Sequence, residues 1–305
     1  MSIMVTLLVF VTIIGGVALA NVLFGTSLSD EISKILDEPA TEKINVLLLG
    51  ADKSGFLADV IMVVTVDPEQ SAVKVLSIPR DTRVDLTGNG KYNKINSALG
   101  YKEPEKTIIN AVRRITGMPI NYYAQLDFEG FRNVIDIMGG VDFDLPIDMN
   151  YDDPAQDLHI HLKKGFQHFN GEQAEGIVRF RHSYVNGDLG RIGMQQNFLK
   201  AIFEQKLTPQ YITKAPQIVK EVYKNVKTNF AVNDALRYVS MAKKMTSESL
   251  STFELPGGSK YMNKVSYFIY DAAKTEELLL YEFGYPEDKA ALLPKPSAKP
   301  SPAAE

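Results

Sequence analysis

Apolar positions along the chain fall into three patterns. Residues 3–24 carry no charge, and their only polar residues are Thr6, Thr12 and Asn21. A run of that length predicts a transmembrane helix. Ala18-Leu19-Ala20 also resembles a signal-peptidase site, so cleavage is the rival reading. The start lacks a basic n-region and its apolar core is long, which favours an uncleaved anchor. The expected division is an anchor at 1–25, a polar stalk at 26–42, a folded domain at 43–290, and a disordered Pro/Ala-rich tail at 291–305.

The second pattern is the continuous aliphatic run. It occurs at Ile44–Leu49, at Val60–Val66 and at Ala72–Ile78. Such runs predict strands buried on both faces, with helices on both sides of a sheet. Asp67-Pro68-Glu69-Gln70 is a turn, so the second and third strands form a hairpin and the sheet is mixed. The third pattern is periodic. Ile108, Ile109, Val112 and Ile115 mark a helix stopped by Gly117, and Phe128, Phe131, Val134, Ile135 and Met138 mark another stopped by Gly139-Gly140. Tyr122–Leu126 reads as a strand, and Val141, Phe143 and Leu145 alternate with aspartates as a strand with one wet face. Residues 148–170 read as an irregular loop. Asn170 caps a short helix through Glu175, and Ile192, Leu199, Ile202 and Phe203 mark a longer one. Further helices are expected from Thr208-Pro209, over 233–245 and over 274–283, with a strand at 251–255 that ends at Pro256-Gly257-Gly258.

Composition narrows the function classes. The 305 residues suit one large or two modest domains. A net charge of -4 argues against a nucleic-acid partner. With no cysteine there is no disulfide, thiolate zinc site or cysteine nucleophile. The chain also lacks a Walker A loop, a dinucleotide fingerprint, His-Glu-x-x-His and Gly-x-Ser-x-Gly.

The candidate chemistry sits at strand ends. Leu76-Ser77-Ile78-Pro79 breaks off into Arg80-Asp81-Thr82. Ligands of open α/β sheets bind beyond the carboxyl ends of strands, and a guanidinium there suits phosphate. Pairing of Arg80 and Asp81, or capping, is the plainer alternative. Asp52 follows the first strand and Asp59 precedes the second; a carboxylate pair beside phosphate suits Mg2+, while turn capping would explain either residue alone. If residues 178–182 are extended, Arg179 and Arg181 share a face and could clamp an anion, or each could pair with a surface carboxylate. His159 and His161 could share a face too, but with no third obvious ligand they read as a solvated loop.

These blocks, in order, resemble the LytR-CpsA-Psr family of cell-wall glycopolymer ligases. The resemblance is carried by Asn45-Val46-Leu47-Leu48-Leu49-Gly50-Ala51-Asp52 with Asp59, Ser77–Thr82, Lys94-Ile95-Asn96-Ser97-Ala98, Gly139-Gly140-Val141, Arg179-Phe180-Arg181-His182, Gly187–Arg191 and Gln195-Gln196. It runs from about residue 43 to 207, and Leu255-Pro256-Gly257 also fits. The resemblance implies an α/β/α sandwich around a central mixed β-sheet, behind one N-terminal transmembrane helix and outside the cell membrane. It implies transfer of a phosphoglycan from an undecaprenyl-pyrophosphate carrier to a peptidoglycan hydroxyl, giving a phosphodiester. Arg80, Arg179, Arg181 and Arg191 would hold the pyrophosphate with Lys94 and Gln195. Asp81 would act beside Arg80, and Asp52 and Asp59 would serve Mg2+ or the arginines. Between the two aspartates the chain departs from the family pattern: Phe56-Leu57-Ala58 stands where an arginine-containing run is usual, and Val60 where threonine is common. A pyrophosphatase on the same carrier and a non-catalytic carrier-binding protein are the alternative functions.

Overall fold

The computed structural model describes residues 40–52, 54–154, 158–180, 188–206, 224, 226–231, 234, 237, 238, 241, 245 and 247–286. The expected anchor and tail, the stalk up to residue 39, the helix from Thr208, and most of the helix over 233–245 lie outside the described residues. Among the described residues no helix is long and apolar enough to cross a membrane.

The three aliphatic runs form β1 (Ile44–Ala51), β2 (Ala58–Asp67) and β3 (Ala72–Ser77), the central strands of a six-stranded sheet. β1 is buried at every position. β6 (Tyr122–Leu126) joins β1 in parallel, and β11 (Val226–Thr228) and β12 (Leu250–Glu254) close the two edges. β2 runs antiparallel to both neighbours and β12 parallel to β3, so β1, β3, β6 and β12 share one direction. The sheet is mixed, as the short turn between β2 and β3 requires.

Alternate side chains of these strands feed two cores. Leu47, Leu49, Ile61, Val63 and Leu76 pack against Ile108, Ala111, Val112 and Ile115 of α1 (Pro104–Thr116). Gly117 ends α1 in the left-handed region at φ 67°, where a side chain would be strained. Val46, Leu48, Val60, Met62 and Val64 face the other way. They meet α2 (Phe128–Ile137), α3 (Gly171–Arg179) and α4 (Asp188–Lys206) through Phe131, Val134, Ile177, Val178 and Phe198. Helices therefore cover both faces.

Three stretches differ from expectation. The supposed loop at 148–170 contains β8 (Met149–Asp153), β9 (Leu158–Leu162) and β10 (Gly165–Phe169). β8 pairs with β9, and β10 with β7 (Val141–Leu145). Their inward residues alternate with His, Asp and Gln, and five-residue strands with that much polarity resemble loop by composition. The helix capped by Asn170 continues past Glu175 to Arg179, so Arg179 is helical rather than extended. Its capping box, in which Asn170 and Gln173 satisfy each other's backbone N–H, explains the firm start. Finally, Pro256-Gly257-Gly258 does not end the ordered β-structure: β13 (Gly257–Met262) and β14 (Val265–Tyr270) form a hairpin there. The closing helix is α5 (Ala272–Leu278), followed by a wider π turn over Leu279–Phe283.

Candidate active site

The shared direction of β1, β3 and β6 brings their carboxyl ends to one rim, where β2 begins. Asp52 follows β1, Ile78–Thr82 follows β3, Asp127 follows β6, and Asp59 is the second residue of β2. Arg80 Nη1 lies 2.6 Å from Asp59 Oδ1, with the two side chains 26% and 14% exposed. Lys94 belongs to β5 (Tyr92–Lys94), which pairs with β4 (Arg83–Asp85), and its Nζ lies 2.9 Å from Asp81 Oδ1. Arg80 and Asp81 thus do not pair with each other; each takes a partner from another strand.

The loop that carries them is fixed through its backbone. Thr82 donates to the Pro79 carbonyl from its N–H at 3.0 Å and its hydroxyl at 2.5 Å. Ile78 N–H donates to Ile61, Asn96 N–H to Arg80, Ile95 N–H to Thr82 and Phe268 N–H to Asp81, all onto carbonyl oxygens. Thr82 is fully buried. Cations held this way need little reorganisation when an anion arrives.

Asp52 shapes its own loop. Ser54 Oγ donates to its two carboxylate oxygens at 2.8 and 2.7 Å, and Leu57 N–H donates to Oδ1 at 3.1 Å. The register of Ala51 against Ala58 sets Asp52 and Asp59 at the same sheet end. Turn formation by Asp52 is therefore realised. Among the described residues no group of three or more His, Asp or Glu could hold a metal. A carboxylate can accept about four hydrogen bonds. Two carboxylates at one rim are the donor type a hard cation takes when its other oxygens come from phosphate and water.

Arg179 reaches the same rim from the helical layer. Its guanidinium stacks on the ring of Phe128, 4.3 Å from the centroid, and Phe128 opens α2 just beyond β6. Glu175, one turn earlier on α3, accepts from Arg179 Nη1 at 2.7 Å and from Arg132 Nη1 at 2.6 Å. The Glu175 side chain is 5% exposed and that of Arg179 7%. α2 and α3 can sit this close because Gly171 has no side chain: a Cβ there would lie 2.3 Å from the Arg132 carbonyl oxygen. Gln195 is buried on α4 and donates to the Val178 carbonyl at 2.7 Å, tying α4 to the end of α3. Arg191 stands in the first turn of α4; its side chain and the whole of Arg181 lie outside the described residues.

Sequence reasoning did not single out Arg132 or Glu175. The Glu175–Arg179 spacing of four was a visible signal for a helical ion pair, hidden by reading 178–182 as extended. His159 and His161 share the exposed face of β9 and both contact Asp152 Oδ1, at 2.6 and 3.2 Å. The hydrogen bond with His159 is the main influence holding the Asp152 carboxyl below its usual range.

A mixed sheet covered by helices, with guanidinium, ammonium and carboxylate groups gathered at its carboxyl rim, defines an α/β protein with a charged rim. The chain belongs to the LytR_cpsA_psr family, whose profile matches residues 24–281. The polyisoprenyl-teichoic acid–peptidoglycan teichoic acid transferase TagV of Bacillus subtilis (strain 168) is 34% identical over 226 residues, covering 72% of this chain and 58% of TagV. This chain thus spans less than two thirds of that relative. The transferase of the same description called TagU, from Bacillus cereus (strain AH820), is 32% identical over 241 residues, 77% of each chain. The crystal structure of B. subtilis TagV matches with a TM-score of 0.69 at 31% identity, over 81% of this chain and 99% of that one. TagT bound to LI-WTA matches with a TM-score of 0.63 at 25% identity, over 80% and 91%.

Proposed function

We propose that this protein transfers a phosphate-linked wall glycopolymer from a polyisoprenyl-pyrophosphate carrier to a hydroxyl of peptidoglycan. The observation that carries this is the rim where Arg80 and Lys94, each held by a carboxylate, meet the carboxyl ends of β1, β3 and β6. The relatives' activity as teichoic acid transferases supports the substrate class. In the transfer, the acceptor oxygen bonds to the phosphorus bearing the glycan. The bond from that phosphorus to the carrier phosphate breaks, and the acceptor's proton balances the leaving phosphate. Such reactions are catalysed chiefly by positioning and charge stabilisation. Arg80 supplies a planar donor fork for the bridging and terminal oxygens, Lys94 a second cation, and Arg179 a third from α3. Asp59 and Asp81 hold the first two cations in place.

Asp52 and Asp59 are the residues that would hold Mg2+, which when bound would neutralise phosphate charge. In the same proposal residues 3–24 anchor the chain in the cell membrane as a single span, with the catalytic domain on the extracytoplasmic side. That arrangement keeps the domain beside a lipid-linked donor.

The test reconstitutes the full chain in vesicles containing a polyprenyl-pyrophosphate oligosaccharide. Uncrosslinked peptidoglycan chains are added, with and without Mg2+, and the glycan–phosphate–glycan product is followed by mass spectrometry. Arg80→Ala is expected to lower transfer by roughly 100- to 1000-fold, with an unchanged circular dichroism spectrum. Arg80→Lys, which keeps charge but loses the fork, should fall between. A full-rate Arg80→Ala protein would overturn the site, and free phosphorylated glycan formed equally without acceptor would identify a pyrophosphatase instead.

A further inference from the structure

The β13–β14 hairpin stands directly on the candidate active site. Phe268 N–H donates to the Asp81 carbonyl at 2.9 Å, and Phe268 also bridges to Thr82 in parallel. Phe268 is 8% exposed and anchors the base in the α1-side core. Gly257 lets the two strands close there: a Cβ would lie 2.4 Å from the Ile269 carbonyl oxygen and 2.7 Å from the Phe268 ring. Beyond this base the hairpin is open to solvent. Register pairs Ser259 with Phe268 and Tyr261 with Ser266, so Tyr261 continues the Phe268 face, about 7 Å further out. Tyr261 is 72% exposed.

The tip is a two-residue turn with both central residues in the left-handed region, Asn263 at φ 49° and Lys264 at φ 64°. That geometry matches the twist of a hairpin, and glycine would satisfy it at less cost than lysine. A lysine kept in a strained position points toward use of its side chain. From Gly257 to Tyr270 the sequence holds Lys260, Lys264 and three tyrosines with no acidic residue, in a chain whose net charge is -4. An exposed tyrosine on a pinned hairpin, as Tyr261 is, gives contact area at small entropic cost, since it has two side-chain torsions.

We infer that this hairpin is the acceptor subsite, binding a peptidoglycan glycan strand with a sugar ring stacked on Tyr261 and a strand carboxylate met by Lys264 at the tip. The inference rests on the transfer activity proposed above. A glycan strand offers C–H faces for aromatic rings, hydroxyls at each residue, and carboxylates from its peptide stems or, where no stem is attached, from its lactyl groups. The backbone bonds from Phe268 to the Arg80–Asp81–Thr82 loop make the surface continuous with the phosphate-binding rim. A strand lying along the hairpin would run toward the loop that carries Arg80.

The test has two arms, both on the full chain in detergent. The first titrates lipid-free strands of alternating N-acetylglucosamine and N-acetylmuramic acid without donor, reading binding by calorimetry. The second measures KM for these strands and for the lipid donor separately. Tyr261→Ala is expected to weaken strand binding and raise the acceptor KM about tenfold, with the donor KM and the melting temperature unchanged. Tyr261→Phe should bind nearly as wild type, because stacking does not need the hydroxyl. Lys264→Gly should remove much of the salt dependence of strand binding. Wild-type strand affinity in Tyr261→Ala, or a loss matched by a raised donor KM, overturns the subsite. So does concentration-dependent self-association abolished by Tyr261→Ala, which would make the hairpin a dimer contact. If wild type binds strands through Tyr261 yet forms no transfer product, the transfer proposal fails while the subsite stands.

Discussion

Glu175 is a buried carboxylate on which two guanidiniums converge. Its carboxylate is 5% exposed and faces two guanidiniums: Arg179, 7% exposed, and Arg132, 38% exposed. Removing one partner of a buried ion pair costs about 3–5 kcal/mol, because the other charge loses its compensation in a weakly screening interior. The half-exposed Arg132 arm adds only about 0–1 kcal/mol. Glu175→Gln keeps shape and one accepting oxygen but turns an amide N–H2 toward one guanidinium, so roughly 3 kcal/mol is expected. For a domain of this size each kcal/mol moves Tm by about 2–4 °C, giving a fall of roughly 6–12 °C. Thermal and urea unfolding followed by circular dichroism would read it. A companion variant separates charge from packing: Glu175→Leu with Arg179→Met, an apolar pair of similar volume, should recover most of the loss. An unchanged Tm in Glu175→Gln would refute the account, and so would a double variant no more stable than Glu175→Leu.

Two further outcomes follow from packing and titration. Gly171→Ala should destabilise by about 1–3 kcal/mol in urea unfolding, because its Cβ meets Arg132 backbone atoms at 2.3–2.7 Å, outweighing the higher helix propensity of alanine. Burial pushes the Tyr238 phenol up to about 12, and its hydroxyl donates to the Glu42 carbonyl at 3.1 Å. Its folded value lies above the unfolded value of about 10, so the stability it contributes is complete below pH 10 and lost as pH rises toward 12. Tyr238→Phe should therefore flatten the alkaline fall of the urea midpoint between pH 10 and 12.

The central sheet was legible because β1, β2 and β3 are unbroken aliphatic runs, buried nearly throughout, and only strands between two helical layers demand that pattern. Arg80, Asp81, Asp52 and Asp59 could be placed at a rim because each abuts such a run. Their pairing could not be read. Asp59 and Lys94 come from other strands, and choosing Arg80–Asp59 and Asp81–Lys94 over Arg80–Asp81 depends on register. Arg179 was misjudged because Val178-Arg179-Phe180-Arg181 alternates like a strand, whereas the capping box at Asn170 and the Glu175–Arg179 spacing favour helix. The β8–β9 and β13–β14 hairpins escaped notice for a common reason. Much of each hairpin is solvated, so pairing with a neighbour, rather than burial of a continuous aliphatic run, defines them.

The hydrogen bond from Phe268 to Asp81, together with the pairing of β12 with β3, has a consequence for the order of assembly. β1, β2 and β3 are neighbours in sequence and can pair as soon as they are made, but the loop after β3 is braced by residues near the far end of the chain. A growing chain would possess Arg80 and its partners Asp59 and Asn96 long before Phe268 could brace the neighbouring Asp81. Such distant closures are the slow steps of folding, paid for in loop entropy before any contact rewards them. The rim is thus completed last, and a chain cut short before β14 would keep the Arg80–Asp59 pair but lack the bond that braces Asp81.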